Sequence, residues 1–547
     1  MIVPERPSLL AVFRNPAFRA LWTAALLSNL GGLIQGVGAS WAMTSLTDSH
    51  ALVALVQAST TLPIMLFALP AGALADSFER RRIMLTAQIF MLGISALLAV
   101  VAFLGMLGPY TLLAFTFLIG CGQALNNPSW QASMGDIIGK EDLSKAVLVN
   151  SMGFNMMRSV GPAIGGAIVA AAGAAMAFAV NAVSYVMLIF ALFRWHPEPA
   201  RRSLPREPLG RAIGAGLRYV SMSPHLLRLM GRGFLFGVAA VSVLALLPLV
   251  ARELLKTGAL GYGVLLGAFG VGAILGAFSN ARIRARFSNE TVVRGAFAGF
   301  AVATFALGQS TLFAIDCLVL LVAGASWVLA LSLFNVTVQL STPRWVVGRA
   351  LALYQTATFG GMAAGAWIWG LVAQVHGIPA ALTGTSAVLV IGVLVGLRWP
   401  LEELGGLNLD PLGRFSEPML RLDIKPQSGP IMVMVDYEIA QQDVPAFLAV
   451  MSARRRIRRR DGAQQWALLR DLENPDIWTE TYHVPTWTDY VRHNERRTQA
   501  DAEVYERLLA LHKGPGRPRV HRMIERQTVP SEERLRLKDP TGAALGP

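Results

Sequence analysis

Long stretches without a charged residue dominate the first 400 positions of the chain. Six of them cover residues 20–47, 49–75, 83–135, 233–251, 257–281 and 350–397. Two further blocks, 146–193 and 295–343, are each interrupted by one charge, Arg158 and Asp316 respectively. Because a helix needs about 20 apolar residues to cross a bilayer, the four longest blocks must each fold back once. The pattern therefore predicts twelve membrane-spanning helices.

Turn signals occur inside each of the four long blocks. They are Gly108-Pro109, Gly173, Gln309-Ser310 and His376-Gly377. Glycine and proline end helices readily, so we expect the chain to reverse direction at these four points. The first block follows a basic start, but it is too long for a secretory signal and eleven further spans follow it.

The composition is that of a membrane protein, and the excess of basic residues lies in the first 400 positions. The chain is 54% hydrophobic and only 15% charged, with a net charge of +14. Residues 1–400 hold 26 Lys and Arg against 12 Asp and Glu, whereas residues 401–547 hold 22 of each. The basic excess lies in every second connection between spans, so the positive-inside rule places both termini in the cytoplasm. This location of the basic charge does not support nucleic acid as a partner.

The two cysteines, Cys121 and Cys317, both fall inside predicted spans. They provide neither a disulfide framework nor metal-ligand spacing, so no metal or other cofactor is expected.

An internal repeat relates the two parts of the membrane region. Gly72, Asp76 and Arg80 recur 204 positions later as Gly276, Asn280 and Arg284, and the same offset relates Gly161 to Gly365. Such long-offset similarity is typical of fused transporter halves. The repeat predicts a six-helix half over 1–195, a proline-rich linker over 196–225, and a second six-helix half over 226–400.

The stretch GALADSFERRR, residues 72–82, resembles the signature of the major facilitator superfamily in the loop between spans two and three. The resemblance implies an all-α membrane fold of twelve helices. It also implies that Gly72 permits close helix approach, that Asp76 faces a helix N-terminus in the opposite half, and that Arg80 pairs with Asp136. These contacts would form a conformational latch on the cytoplasmic side. The predicted latch residues are Gly72, Asp76, Arg80, Arg81, Asp136, Gly276 and Arg284.

A second motif, RSVGPAIGG, covers residues 158–166 in the fifth span. Its glycines leave a groove for a neighbouring helix and its proline removes a backbone donor. The order Gly-Pro-x-x-Gly-Gly resembles the signature of exporters that work as antiporters, although close packing of small residues alone would also account for it. The motif residues are Arg158, Gly161, Pro162, Gly165 and Gly166.

Ionisable groups inside a membrane are costly and are therefore candidates for function. Asp316 is a candidate for proton coupling, with an interfacial acid at a span end as the alternative. Arg158 has either a structural role or a substrate contact. Uncharged polar side chains would line a central cavity in the superfamily arrangement, or else join helices. These cavity candidates are Asn29, Gln35, Gln123, Asn126, Asn127, Asn335 and Gln339.

The composition changes after residue 400, which predicts a linker over 401–428, a cytoplasmic α+β domain over 429–530 and a disordered tail over 531–547. The predicted elements follow one another as strand, helix, strand, strand, helix and strand. This β-α-β-β-α-β order is ferredoxin-like. The segment resembles antibiotic-biosynthesis monooxygenase domains, which implies pairing of two copies into a homodimer. The arginines from Arg454 to Arg460 are expected to form a solvated helix face, with contact to anionic lipid as the alternative.

Over roughly its whole length the chain resembles bacterial exporters of the enterobactin-exporter and transmembrane-secretion-effector type. The resemblance implies a proton-driven antiporter in the bacterial inner membrane that exports small amphipathic molecules, such as drugs or siderophores, by alternating access. The alternatives are a membrane-anchored enzyme or sensor whose tail handles a small molecule, and an importer of the same fold. The tail shows no nucleophile-base pair, metal set or phosphate loop, so an enzyme is not expected.

Overall fold

The computed structural model describes residues 9–138, 142–196, 208–401, 408–413 and 415–525. The predicted tail over 531–547 therefore lies outside the described residues. The chain forms two compact units. The first contains Met1–Arg202, His225–Val338 and Leu351–Glu403, and the second contains Ser203–Pro224, Gln339–Ala350 and Leu404–Pro547.

Long helices build the first unit. In chain order they are α1 (Pro16–Leu46), α2 (His50–Ser77), α3 (Arg80–Phe103), α4 (Pro109–Ile137), α5 (Leu143–Arg194), then α7 (Pro224–Leu249), α8 (Ala259–Arg284), α9 (Asn289–Gln309), α10 (Phe313–Leu340), α11 (Val347–His376) and α12 (Ile378–Arg398). A shorter helix, α6 (Leu209–Ser221), precedes α7 and belongs to the second unit. By length and composition, nine helices of the described chain could cross a membrane, namely α1, α2, α3, α5, α7, α8, α9, α10 and α12.

The four predicted reversals are confirmed. Helix α4 begins at Pro109, α9 ends at Gln309 and α11 ends at His376. Gly377 has a φ of 85° and Gly173, within α5, has a φ of 81°. Glycine adopts this left-handed backbone at little cost, so the chain turns at these positions without steric strain.

Glycines at positions related by the internal repeat make close helix contacts in both parts of the first unit. A Cβ on Gly161 of α5 would lie 3.0 Å from Leu33 of α1, and one on Gly365 of α11 would collide with Val238 of α7. The sequence analysis missed a further pair at the same offset of 204. Gly120 of α4 packs on Pro63 of α2, and Gly324 of α10 packs on Phe269 of α8. Close backbone approach therefore recurs at matching levels of the repeat.

The second unit contains an antiparallel four-stranded sheet. Its strands are β1 (Ile431–Glu438), β2 (Gln464–Arg470), β3 (Ile477–Val484) and β4 (Arg519–Ile524), in the order β2-β3-β1-β4. Three helices accompany them, α13 (Val444–Asp461), α14 (Trp487–Glu495) and α15 (Gln499–Leu511). Helices α14 and α15 are separate, because Thr498 caps the start of α15 with its side chain.

One face of this sheet forms the core of the second unit. Strand β1 alternates buried and partly buried positions, which is the period of a half-buried strand. The buried side includes Val433, Val435, Trp478 and Tyr482, and Trp466 packs against it. These apolar side chains therefore pack within the unit itself.

The expectation that Arg454 to Arg460 form a solvated face is wrong for two of the arginines. Arg454 and Arg458 are buried, and their Nε atoms lie 2.8 and 3.1 Å from the carboxylate oxygens of Glu480 in β3. Burying charges is tolerated only when they are paired, and Glu480 provides the pairing.

Candidate functional site

A cavity of about 270 Å³ lies within the first unit, between helices of its α1–α5 part and helices of its α7–α12 part. Helices α1, α2, α4 and α5 of the first part line it, together with α7 and α8 of the second. Polar groups on its wall include Gln35, Gln57, Thr60 and Gln123. The cavity can thus offer both hydrogen bonds and apolar contacts to a small molecule.

Arg158 is the charged residue of this wall. Its guanidinium lies over the ring of Trp327, 5.8 Å from the ring centroid. Phe269, another wall residue, meets Trp327 edge-on at 5.9 Å. A cation placed on an aromatic face in a site shielded from water keeps its charge available for an anionic group. Arg158 therefore makes the cavity suited to a ligand with a negative or strongly polar group.

Gln35 joins the cavity to a buried polar network. Its Oε1 accepts a hydrogen bond of 2.9 Å from Ser95 of α3 and a further one from Asn181 of α5. Asn181 also contacts the hydroxyl of Tyr185. Buried polar groups of this kind are stable only when they are hydrogen-bonded. The network fixes the orientation of the Gln35 amide in the wall.

Only two of the seven predicted cavity amides, Gln35 and Gln123, line this cavity. Asn126 instead accepts a hydrogen bond from Gln88 of α3, which is the helix-joining alternative. Asn127 and Gln339 are exposed. Asn127 is one helical turn beyond Gln123, so it lies about 6 Å further along the axis and outside the enclosed space. Asn29 and Asn335 are partly buried but are not wall residues.

The glycines of the second motif fix α5 between two helices. A Cβ on Gly165 would lie 3.0 Å from the Ile34 backbone of α1, and one on Gly166 would lie 2.8 Å from the Ala259 carbonyl of α8. Gly270 of α8 packs as closely against the backbone of Arg158 and Ser159. The motif therefore holds α5 against α8, a contact between the two parts of the unit.

Helices α2 and α11 form a further contact between the parts. Gly370 packs against Ala51 and Ala54, and Gly360 against Met65. At the start of α2, the His50 Nε2 lies 2.9 Å from Glu253, while its Nδ1 lies 3.1 Å from the Ala373 carbonyl. These contacts close the first unit on the side where α2 begins.

The predicted pair of Arg80 and Asp136 is present. Arg80 Nη1 lies 2.8 Å from Asp136 Oδ2 and also donates to the Ala132 carbonyl at 2.8 Å. The neighbouring Arg81 donates to the carbonyls of Leu192 and Phe193 at the end of α5, both at 2.9 Å. The two arginines thus attach the start of α3 to α4 and α5.

The remaining latch residues are not brought together. No atom lies within 4 Å of a Cβ built on Gly72, so the close helix approach expected there is absent from this conformation. The side chain of Asp76 lies outside what the structure describes. Gly276 packs against Ala325 of α10, within its own half, and Arg284 ends α8. Among the described residues, contacts between the two parts are therefore found at the start of α2 but not at Gly72 near its end.

Asp316 lies in the first turn of α10 and is fully buried. Within the described residues, neither of its carboxylate oxygens has a hydrogen-bond partner. It is not part of the cavity wall. The sequence left two alternatives for Asp316, a proton-coupling group and an interfacial acid at a span end. The acid lies at a helix end, as in the second alternative, but its side chain is buried, as in the first.

A buried ion pair escaped the sequence analysis. Arg232 of α7 lies 2.5 Å from Glu290 of α9, and Glu290 also accepts a hydrogen bond from the Leu401 backbone after α12. Arg232 and Glu290 are 58 positions apart, so nothing in the local pattern identifies them as partners.

Comparison with known proteins gives a family. Residues 7–529 match the sequence profile of the family described as transmembrane secretion effector. An enterobactin exporter of Shigella boydii is 26% identical over 392 residues, which is 70% of this chain and 91% of the exporter. A staphyloferrin A transporter of Staphylococcus aureus is 25% identical over 244 residues, covering 40% of this chain and 62% of that transporter.

Solved structures agree on the fold. A bacterial homologue of the human lysosomal transporter Spinster, in an inward-facing and unoccupied conformation, superposes with a TM-score of 0.56 at 14% identity, over 71% of this chain and 96% of the other. The nucleoside transporter NupG gives a TM-score of 0.55 at 10% identity, over 70% and 98% respectively. At these identities the comparison supports the transporter fold alone.

Proposed function

Because the chain belongs to the transmembrane secretion effector family of the major facilitator superfamily, we propose that it exports a small amphipathic molecule of the siderophore type by proton antiport. It is a multi-span membrane transporter whose relatives include siderophore exporters of bacteria. Our proposal adds the direction, the coupling ion and the class of cargo.

The proposal includes twelve spans with both termini in the cytoplasm. Helices α4 and α11 have 29 and 30 residues, long enough to cross a bilayer, and Gly173 divides the 52-residue α5 in two. Counting both parts of α5 and including α4 and α11 gives twelve. The second unit is a cytoplasmic ferredoxin-like domain, supported by its strand order and by the β-α-β-β arrangement of its elements.

The cavity that contains Arg158 carries the proposal. A single cation, three amides and several aromatic rings in one wall suit a cargo with an acidic or phenolic group and an apolar body. Siderophores, the cargo named for the matched exporter, have this chemistry. The contacts of α5 with α8 and of α2 with α11 close the extracellular side in this conformation, and the open end at Gly72 faces the cytoplasm.

In the proposed cycle of alternating access, the two sides of the first unit open in turn. Export requires the cargo to enter from the cytoplasm, after which the latch around Arg80 and Asp136 forms its remaining contacts with the opposite half. The extracellular contacts, including His50 with Glu253, must separate in the same step. A proton bound in return resets the conformation, and Asp316 is the proposed acceptor because it is buried without a partner among the described groups.

Enterobactin secretion tests the function directly. The chain is expressed in bacteria that lack their own enterobactin exporter, and enterobactin is measured in medium and cells by mass spectrometry. We expect secretion to be restored. The variant Arg158→Gln should lower it about tenfold, which corresponds to about 1.4 kcal/mol.

The matched control is Arg19→Gln, which removes the same charge from an exposed site on α1. It should secrete like the wild type. Absence of secretion by wild-type protein that is correctly inserted in the membrane would refute a siderophore cargo. Equal secretion by Arg158→Gln and Arg19→Gln would refute the role of the cavity.

A further inference from the structure

A larger cavity, of about 880 Å³, lies within the second unit. Val435, Tyr482 and Arg522 of the sheet line one wall. Helices α13, α14 and α15 contribute other walls, together with Pro411, Leu412, Gly413, Phe415 and Ser416. Its volume is within the range of small-molecule sites, roughly 300–1,000 Å³. Nothing in the proposed transport cycle uses this space.

The positive charges of the cavity exceed its buried negative charges. Arg454 and Arg458 share one carboxylate, Glu480, which also accepts hydrogen bonds from Tyr437 at 2.9 Å and Trp466 at 3.0 Å. Glu480 is therefore fully occupied by these donors. It has no remaining capacity to neutralise another guanidinium.

Arg497 is the guanidinium without such a partner. Among the residues that the structure describes, no carboxylate lies within ion-pair distance of its side chain. Its backbone carbonyl is held by the Leu412 amide at 2.9 Å, which fixes its place in the wall. Burial and the neighbouring Arg458 and Arg454 lower the pKa of Arg497 to about 10, so it remains charged at neutral pH.

The other acids that line the cavity do not supply the missing charge. Asp461 and Asp501 both bind Arg460, each at 2.9 Å. Glu495 and Glu506 are exposed to solvent. His493 adds no negative charge, and burial together with Arg458 holds its pKa well below the ordinary value, so it is neutral. One partly buried positive charge, that of Arg497, therefore remains for a ligand.

Aromatic rings alternate with the guanidiniums around the cavity. Arg458 lies over Tyr482 at 4.4 Å, Arg454 over Tyr505 at 5.6 Å and Arg522 over Tyr490 at 5.7 Å. Phe415 meets Tyr490 edge-on at 6.0 Å. Rings and guanidinium planes both stack on flat conjugated groups. The wall thus favours a planar ring as well as a negative charge.

We propose that this cavity binds a small aromatic carboxylate, with its carboxylate paired to Arg497 and its ring among Tyr482, Tyr490 and Tyr505. The second unit would then be a ligand-binding module in addition to the transport site. This inference does not depend on which molecule the first unit moves, because the two cavities share no residue.

Calorimetric titration of the full-length chain in detergent tests the site, with naphthoate as the probe and its neutral amide, naphthamide, as the uncharged comparison. We expect naphthoate to bind the wild type at least tenfold more tightly than naphthamide. Arg497→Gln should weaken naphthoate binding at least tenfold and leave naphthamide binding unchanged.

Two matched variants locate the effect. Arg507→Gln removes an exposed guanidinium from α15 outside the cavity, and Arg158→Gln removes the cation of the transport cavity. Arg507→Gln should bind naphthoate like the wild type, and Arg158→Gln should keep the naphthoate binding that Arg497→Gln loses. Loss of binding in Arg158→Gln but not in Arg497→Gln would overturn the proposal, as would equal binding of acid and amide, or no binding by the wild type.

Stability of the variants separates binding from folding. Arg497→Gln relieves repulsion with Arg454 and Arg458, so without ligand its second unit should unfold at the same temperature as the wild type or at a higher one. Naphthoate should raise the unfolding temperature of the wild type and of Arg507→Gln only. A naphthoate-induced rise in Arg497→Gln as large as that in the wild type would contradict the assignment of Arg497.

Discussion

Gly166 of α5 and Gly263 of α8 lie against each other without room for a side chain. A Cβ on Gly166 would lie 2.9 Å from the Cα of Gly263, and one on Gly263 would lie 2.8 Å from the Cα of Gly166. Carbon atoms at that separation repel strongly, so both positions require glycine. The second sequence motif therefore ends at a backbone contact between the two halves of the membrane unit.

The variant Gly166→Leu should separate α5 from α8 at this contact. Overpacking of a close helix contact costs about 1–3 kcal/mol, which is enough to destabilise the closed extracellular side. We expect export to fall at least tenfold and vesicles to lose an imposed pH gradient faster than with the wild type. Gly93→Leu is the control, because no atom lies within 4 Å of a Cβ there. Tight vesicles with normal export for Gly166→Leu would refute the antiporter role of the motif.

The ion pair of Arg80 with Asp136 should contribute to transport more than to stability. Both side chains are about one quarter exposed, so solvent screening limits the pair to about 1 kcal/mol or less. Asp136→Asn should lower export about threefold while expression stays normal. A double-mutant cycle with Arg80→Gln should show coupling between the two sites, measured as export rates.

Arg82→Gln provides the matched control for that cycle. Arg82 is 83% exposed and pairs with Glu79 within the same loop. It should export like the wild type. Purely additive effects of Arg80→Gln and Asp136→Asn would show that the pair does not act as one latch element.

Asp316→Asn should uncouple export from the pH gradient. An amide cannot take up the proton that the proposed cycle requires, although it occupies the same buried space in the first turn of α10. Cargo binding should survive, whereas export driven by an imposed gradient should be lost. The control Asp48→Asn changes an exposed acid near a span end. Gradient-driven export by Asp316→Asn at the wild-type rate would place the coupling site elsewhere.

Glu480→Gln should destabilise the second unit by about 3–5 kcal/mol, since it leaves two buried guanidiniums without their carboxylate. Burial opposes ionisation of Glu480, but Arg454 and Arg458 more than offset it, so its pKa lies below the ordinary value of 4.5. A depressed pKa stabilises the fold above pH 4.5, and this stability is lost as the pH falls below it.

Hydrogen exchange of the β3 amides measures this effect. The difference in protection between wild type and Glu480→Gln should be full at pH 7 and should shrink below pH 4.5. Asp489→Asn, which alters a partly buried acid on α14, is the control. A difference that stays constant down to acid pH would show that ionised Glu480 does not hold the two arginines.

The turns were predictable from the sequence because their causes are local. Gly173 and Gly377 interrupt apolar runs that are too long for one span, and only glycine adopts their left-handed backbone without strain. The pairing of Arg80 with Asp136 was expected only because the loop motif resembles the superfamily signature. Predicting the turns requires only the local sequence and the thickness of a bilayer.

Long-range burial was not predictable in this way. From the sequence alone, the arginines of α13 look like a solvated face. The burial of Arg454 and Arg458 depends on their ion pairs with Glu480, which lies 26 positions after Arg454 in the chain. The buried pair of Arg232 and Glu290 depends likewise on how α7 and α9 pack. Gln123 and Asn127 look equivalent on α4, but only Gln123 is at the level of the cavity. In each case the tertiary contact, rather than the residue type, determines the role.

Transport by the purified chain in sealed proteoliposomes tests the central claim of proton-driven export most directly. An imposed pH gradient is applied, and enterobactin is followed on both sides of the membrane by mass spectrometry. Antiport predicts that enterobactin accumulates in the more acidic compartment, against the movement of protons, and that collapsing the gradient with a protonophore stops the accumulation. Accumulation in the more alkaline compartment, or at the same rate after the gradient is collapsed, would contradict proton antiport.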